Sequence, residues 1–412
     1  MRSVSRMLGV MRAIHVVFVP FVLITACVTG ARPSGVSSSS VVPAGTSSQA
    51  SVPDRAAPIH KVSEVEAPPA DVQSQPVPGF MRGINLGNAL DAPTEGAWGV
   101  TLQPAHFAMA KAAGLDHVRL PVRFSAHAAQ AAPFTVEPAL FARVDWAIAQ
   151  AKEHGLSVIV DLHHYEELMK QPNENAERLV GIWKQIAEHY KDQPTSVAFE
   201  LINEPCDQLK SEVLNPITKR TLAVVRASNP TRTVFVDSFF WASADQLKNL
   251  ELPEDANLVP SFHNYQPILF THQGMPWMPA EFQTQPVVFP GPPAVPVTPV
   301  DAARNTSWVS TWFNSYNQAK ISENSNGPGA VFDYYKTVDA YVKSTKRRVY
   351  MGEFGVSDNA DPESRESWLR LVRQEAEKRH IGWALWDDGA RFKALDVKQG
   401  TWTAPISAGL FH

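Results

Sequence analysis

Residues 196–205 read Ser-Val-Ala-Phe-Glu-Leu-Ile-Asn-Glu-Pro. A largely apolar run ends abruptly in Asn203 and Glu204, and Pro205 cannot continue a ladder. That is the pattern of a buried strand delivering a carboxylate at its C-terminal tip. Downstream, residues 348–355 repeat the shape as Arg-Val-Tyr-Met-Gly-Glu-Phe-Gly, with Glu353 at the tip. If the strands between them run parallel and close into a barrel, both carboxylates reach one mouth.

The flanking sequence supplies the other strands. Upstream are residues 80–88, 117–122 and 156–164, and downstream 233–237, 257–265 and 381–386. Helical patterns fall between them at 103–113, 137–154, 175–190, 209–228, 331–344 and 362–379, with a short one near 243–250. A long Pro-rich excursion, its core at 277–326, follows the sixth strand. Eight strands alternating with helices predict an α/β protein with a parallel sheet, and residues 79–412 suit one closed (β/α)8 TIM barrel. No Gly-x-Gly-x-x-Gly turn follows the first strand, which removes the main support for dinucleotide binding.

Polar residues gather where these strands end: Asn85 and Asn88, Arg119, His163 and His164, Asn203 and Glu204, His263 and Tyr265, Glu353, and Trp386. In a barrel these tips converge on the face that carries the active site. Two carboxylates there are what hydrolysis of a glycosidic bond requires.

With Arg119, His163, Asn203-Glu204, His263-x-Tyr265, residues 352–355 (Gly-Glu-Phe-Gly) and Trp386 in that order, the chain resembles glycoside hydrolase family 5. These are the retaining barrel enzymes that include β-1,4-glucanases and β-mannanases. The resemblance covers about residues 80–411. Residues 83–91 (Gly-Ile-Asn-Leu-Gly-Asn-Ala-Leu-Asp), 262–267 and 270–274 look like the thermophilic endoglucanases that also cut mannan. Asp91 stands where those enzymes usually carry Glu, and its shorter reach bears on the glucan-versus-mannan preference.

The resemblance implies catalysis by Glu204 and Glu353, supported by Arg119, His163, Asn203, His263 and Tyr265. It implies substrate contacts from Asn88, Asp91, His164 and Trp386. The residues themselves argue the same roles. Glu204 is the acid/base, because Asn203 beside it can hold a sugar 2-hydroxyl. Glu353 is the nucleophile, kept ionised by Arg119 and the Tyr265 hydroxyl. Its charge is expected to raise the pKa of Glu204. The lesser alternative for Arg119 is a structural ion pair in the barrel mouth, whereas His164 reads equally as a packing residue or a substrate contact. Asp161 could simply satisfy the barrel, and Cys206 fill space. Trp98, Trp241, Trp277 and Trp402 read as loop packing or as sugar platforms. No metal is expected, since adjacent histidines on a strand face opposite ways and no His-Glu-x-x-His accompanies them. No cofactor is implied.

Residues 1–27 have the form of an export signal: Arg2, Arg6 and Arg12 precede a short apolar stretch at 16–24. It ends Leu-Ile-Thr-Ala-Cys, which resembles a lipoprotein box with Cys27 as the lipidated residue; ordinary cleavage near Ala26 or Ala31 is the alternative. Removing it takes three arginines and no acid, carrying the net charge from −4 to −7. Residues 28–78, rich in Ser, Pro and Ala, read as a disordered tether. No basic run suggests nucleic acid. The expected partner is a β-linked polysaccharide or oligosaccharide, cut by an exported, monomeric enzyme whose membrane contact is a lipid anchor. The rivals are an exo-acting β-glucosidase or exo-β-1,3-glucanase, a binding-only barrel, and a metal-dependent hydrolase.

Overall fold

The computed structural model describes residues 69–70 and 73–412. The signal, Cys27 and most of the tether lie outside the described residues. Eight parallel strands close in sequence order into a barrel. They are β1 (Arg82–Asn85), β2 (His117–Val122), β3 (Ser157–Leu162), β4 (Val197–Glu200), β5 (Val234–Asp237), β6 (Leu258–Asn264), β7 (Tyr350–Phe354) and β8 (Gly382–Leu385).

Outside the strands lie the helices Pro104–Ala112, Pro138–Glu153, Pro172–His189, Ser211–Ser228, Pro328–Thr345 and Pro362–Lys378, with a 3-10 turn at Ala244–Asn249 after β5. Five of these helices open on proline at the first turn, where a missing N–H costs no hydrogen bond.

Two features of the folded body differ from expectation. It begins before Gly79: the Ser74 amide donates to the Arg379 carbonyl at 2.9 Å, and Val77 is buried under the barrel. The excursion after β6 contains the helix Ser307–Gln318, whose Val309, Phe313 and Tyr316 join the main core. The chain closes with the helix Ala404–Phe411, pinned to Pro362–Lys378 where Arg370 donates to the Ala408 carbonyl at 2.7 Å.

Period-2 alternation decides what fills the barrel. In β3, Val158, Val160 and Leu162 face the helices in the large core, while Ile159 points inward to a smaller cluster. That cluster, with Val77, Phe80, Ala198, Phe235, Val259, Tyr350 and Ala384, plugs the floor. Two residues on along the same strands, the inward positions become Arg119, Asp161, Glu200, Asp237 and Ser261, all with 0% exposure. An apolar floor therefore carries a polar layer directly above it.

Candidate active site

Arg119 is the hub of that polar layer. Its Nε and Nη2 grip Glu200 at 2.8 and 2.6 Å. Nη2 also reaches Asn203 Oδ1 at 2.7 Å and Asp161 Oδ2 at 3.0 Å. Nη1 donates to Asn85 Oδ1 at 2.8 Å and Glu353 Oε1 at 2.9 Å. The two alternatives for Arg119 thus coincide: it is a buried ion pair and it touches the nucleophile candidate. Surrounding carboxylates outweigh burial and push its pKa well up.

Glu353 reaches the lumen through a break in register. Tyr350 faces inward, so strict alternation would turn Glu353 outward. Between β6 and β7, however, Phe262 pairs with Met351 and His263 with Glu353, so Gly352 is skipped. This bulge flips the parity and aims Glu353 into the mouth. Only glycine fits there, because a Cβ on residue 352 would lie 2.9 Å from His263 Nε2 and 3.0 Å from Ser261 Oγ. Tyr265 donates its hydroxyl to Glu353 Oε2 at 2.7 Å. Burial raises the Glu353 pKa, opposed by His263, Arg119 and the Tyr265 hydrogen bond and assisted by the charge of Glu204.

Glu204 sits just past β4 in the left-handed region, φ 48°, a conformation that non-glycine residues hold at a cost near functional sites. Its amide donates to Asp237 Oδ2 at 3.0 Å, fixing that turn. His263 Nδ1 lies 2.8 Å from Glu204 Oε1 and 3.6 Å from Glu353 Oε2. Burial first, then the charge of Glu200, lift the Glu204 carboxyl to about 7 against the pull of Arg119. The elevation was expected from Glu353; burial and Glu200 are the causes the structure shows. Asn203 accepts from Arg119 through Oδ1, which orients its amide nitrogen away from the guanidinium.

His163 is held by Asp161, Nδ1 to Oδ2 at 2.6 Å, so Asp161 orients a site residue besides satisfying the barrel. Its ring stacks on Trp386, 2° from parallel with centroids 5.5 Å apart. Burial keeps it neutral by pushing its pKa well down, and takes His164 to about 4. The two rings do not face opposite ways. Strand β3 ends at Leu162, and beyond it the centroids come within 4.6 Å. Asp91 joins them: its Oδ1 accepts from the Ala89 amide at 2.8 Å, and burial lifts its carboxyl to about 6. Asn88 bonds Asp387, which follows Trp386.

Among the tryptophans, Trp98 and Trp277 are 41% and 38% exposed. Trp241 donates its amide to the Pro205 carbonyl beside Glu204, whereas Trp402 packs edge-on against Phe411 in the C-terminal region. Cys206 is buried in the main core. Sequence reasoning missed Glu200, Asp237 and Asp387. For Glu200 the signal was present, an acid inside an apolar run four residues before Glu204. Three sets among the described residues could hold a metal ion: Asp91, His163 and His164; Glu200, Asp237 and His263; and Glu204, His263 and Glu353.

The family model Cellulase (glycosyl hydrolase family 5) matches residues 73–390. Endoglucanase H of Acetivibrio thermocellus is 31% identical over 314 residues, 76% of this chain. Cellulase/esterase CelE of the same organism is 26% identical over 328 residues, 74% of this chain. The aligned part spans only 30% and 35% of those two relatives. Endoglucanase Cel5A from Thermotoga maritima superposes with TM-score 0.69 at 33% identity, covering 81% of this chain and 97% of that one. The cellulose synthase subunit Z (CcsZ) from Clostridioides difficile superposes with TM-score 0.70 at 32% identity, covering 81% and 100%. With its paired glutamates, shared arginine and stacked tryptophan at the mouth of one barrel, this chain belongs to glycosyl hydrolase family 5.

Proposed function

We propose that this chain is a retaining, endo-acting β-1,4-glucanase, with β-mannan as its second substrate. One observation carries the reading: a Glu204 oxygen and a Glu353 oxygen lie within 4.8 Å of each other. Retaining enzymes hold their carboxyl groups about 5–5.5 Å apart, whereas inverting ones need about 6.5–9.5 Å to admit a water. Glu204, lifted to about 7, carries the proton that the leaving oxygen takes. Glu353, oriented by Arg119 and Tyr265, attacks C1 from the other side and becomes a glycosyl ester. Water then attacks C1, Glu204 accepts its proton, and Glu353 is released.

The substrate class is supported by the neighbours. Thermotoga maritima Cel5A is described in complex with cellobiose and with mannotriose. The exposed Trp98, edge-on to His164, suits a chain that extends beyond the reacting sugar. The CcsZ likeness supports a second reading of the enzyme's use, trimming of exported cellulose.

The test is reducing-end release from carboxymethyl cellulose, glucomannan and mannan by wild type, Glu204→Ala and Glu353→Ala, with the product anomer followed by NMR. Both variants are expected to lose activity, the first-formed anomer to be β, and viscosity to fall faster than reducing ends accumulate. Full activity in Glu353→Ala refutes the nucleophile, an α product refutes retention, and slow viscosity loss assigns exo action. Export with lipidation at Cys27 belongs to the same proposal, supported by the order Leu-Ile-Thr-Ala-Cys at 23–27. Labelled palmitate in wild type but not in Cys27→Ser checks it.

A further inference from the structure

Beyond the two catalytic carboxylates, the mouth brings together a second group of ligating side chains. Asp91 follows β1, and His163 and His164 follow β3. One ligand atom from each lies within 4.8 Å of the others. A zinc ion with bonds of about 2.0–2.1 Å needs tetrahedral ligands about 3.3 Å apart, a separation that modest side-chain rotation reaches.

The arrangement has the supporting contacts of a metal site. His163 Nδ1 is committed to buried Asp161 at 2.6 Å, which leaves Nε2 for a ligand. A carboxylate on the far nitrogen is what orients metal-binding histidines and raises their basicity. Asp91 has its Oδ1 on the Ala89 amide at 2.8 Å, and the Asn88 and Asp91 amides also act on the carboxylate, which holds it in place beside the two histidines. Stacked Trp386 fixes the His163 ring plane, and Trp98 meets His164 edge-on at 5.6 Å. Two cations bear on the cluster, and both are neutralised: Arg119, felt by Asp91 and His163, is paired with Glu200, Asp161 and Glu353, and Arg123, felt by both histidines, with Glu166 at 2.7 Å. Imidazole and carboxylate together suit zinc and its first-row neighbours rather than calcium or magnesium.

We propose that Asp91, His163 and His164 form a binding site for a divalent transition ion, with zinc as the best fit, and that ion and glycan compete for this part of the cleft. The ion takes no part in hydrolysis. It occupies the groups that otherwise meet sugar hydroxyls, making the enzyme sensitive to free zinc. The competition rests on the glycan reading of the cleft; the binding of zinc does not.

The test is calorimetric titration of zinc chloride into the full-length, untagged, chelator-stripped protein at pH 7. One equivalent is expected to bind in wild type. His164→Ala and Asp91→Asn are each expected to weaken it by about tenfold or more, and His164→Gln to do the same, with circular dichroism melts confirming that each folds. Glu204→Gln and Glu353→Gln are expected to retain it. No binding in wild type overturns the proposal. So does a site kept in both His164 variants but lost in Glu204→Gln and Glu353→Gln, which moves the ion to the catalytic pair. Cellotetraose, titrated with zinc against the inactive Glu204→Gln protein, is expected to raise the apparent zinc dissociation constant at least about tenfold at saturation. Simultaneous binding without mutual effect overturns the competition. Failure to bind any glucan while zinc still binds refutes the glycan reading and leaves the metal site standing.

Discussion

Replacing the acid by its neutral isostere, Glu204→Gln, is expected to stabilise the protein at alkaline pH while abolishing catalysis. Folding carries the Glu204 carboxyl from 4.5 to about 7. At 1.36 kcal/mol per pKa unit this is a cost of about 3 kcal/mol for the ionised form. The side chain keeps 27% of its exposure, and solvent reduces the figure to about 2–3 kcal/mol. A raised pKa means the folded state holds the proton more tightly. That contribution is complete below 4.5 and is lost as pH rises through about 7. Glutamine has no charge to bury, so the variant gains only where wild type has lost its proton. A folded body of about 340 residues has an unfolding entropy near 0.7 kcal/mol/K, so 2–3 kcal/mol corresponds to roughly 3–4 °C in Tm. Scanning calorimetry at pH 8.5 is expected to show that gain, and at pH 4 none. An equal shift at both pH values, or a loss at pH 8.5, refutes the argument that burial of Glu204 sets its proton affinity.

Three further outcomes follow from the same geometry. Arg119→Lys strips the two-pronged grip on Glu200 and the contacts to Asn203 and Glu353; it is expected to cost about 3–5 kcal/mol in urea unfolding and at least about 100-fold in kcat/KM. Gly352→Ala keeps every catalytic group but pushes a methyl against His263 and Ser261; kcat is expected to fall about tenfold or more while a mutation-sensitive melt shows a folded protein. The alkaline limb of the kcat/KM profile is expected near pH 7, activity falling as pH rises because Glu204 must enter the reaction protonated, and a limb above pH 9 contradicts that assignment.

Strand tips were legible because an apolar run that stops at a polar residue has one economical reading in a parallel barrel. His163, Asn203, Glu204, His263, Tyr265, Glu353 and Trp386 meet in one mouth on that basis, with Arg119, also singled out, directly below them inside β2. The layer beneath them was harder to see. Asp161, Glu200 and Asp237 belong to runs that read as core, and each is intelligible only once Arg119 is known to share their layer of the lumen. The inward turn of Glu353 depends on a bulge, which a parity count from Tyr350 contradicts, and Gly352 was its only trace in sequence. The His163-His164 pair was misread because alternation was carried past the end of β3. In the excursion after β6, the aromatic spacing of Trp308, Trp312, Phe313 and Tyr316 marked a helix that its prolines obscured.

The charge balance of the lumen bears on the second half of the reaction. One guanidinium, Arg119, faces Asp161, Glu200 and Glu353 directly, with Asp237 and Glu204 alongside. A single cation cannot hold five carboxylates ionised in a buried site, and burial lifts Asp237 as well as Glu204 to about 7. When Glu353 becomes an ester, the lumen loses one anion, which eases ionisation of Glu204 as it turns from acid to base. Yet burial and Glu200, rather than Glu353, head what raises Glu204. Esterification is therefore expected to lower its pKa only partly. Trapping the glycosyl-enzyme with a 2-fluoro glycoside and titrating Glu204 by carbon NMR measures this directly. A value that stays between the ordinary 4.5 and about 7 supports burial as the main cause. A return to 4.5 assigns the elevation to the nucleophile's charge, and the stabilisation expected of Glu204→Gln then has to come from the same electrostatic pair.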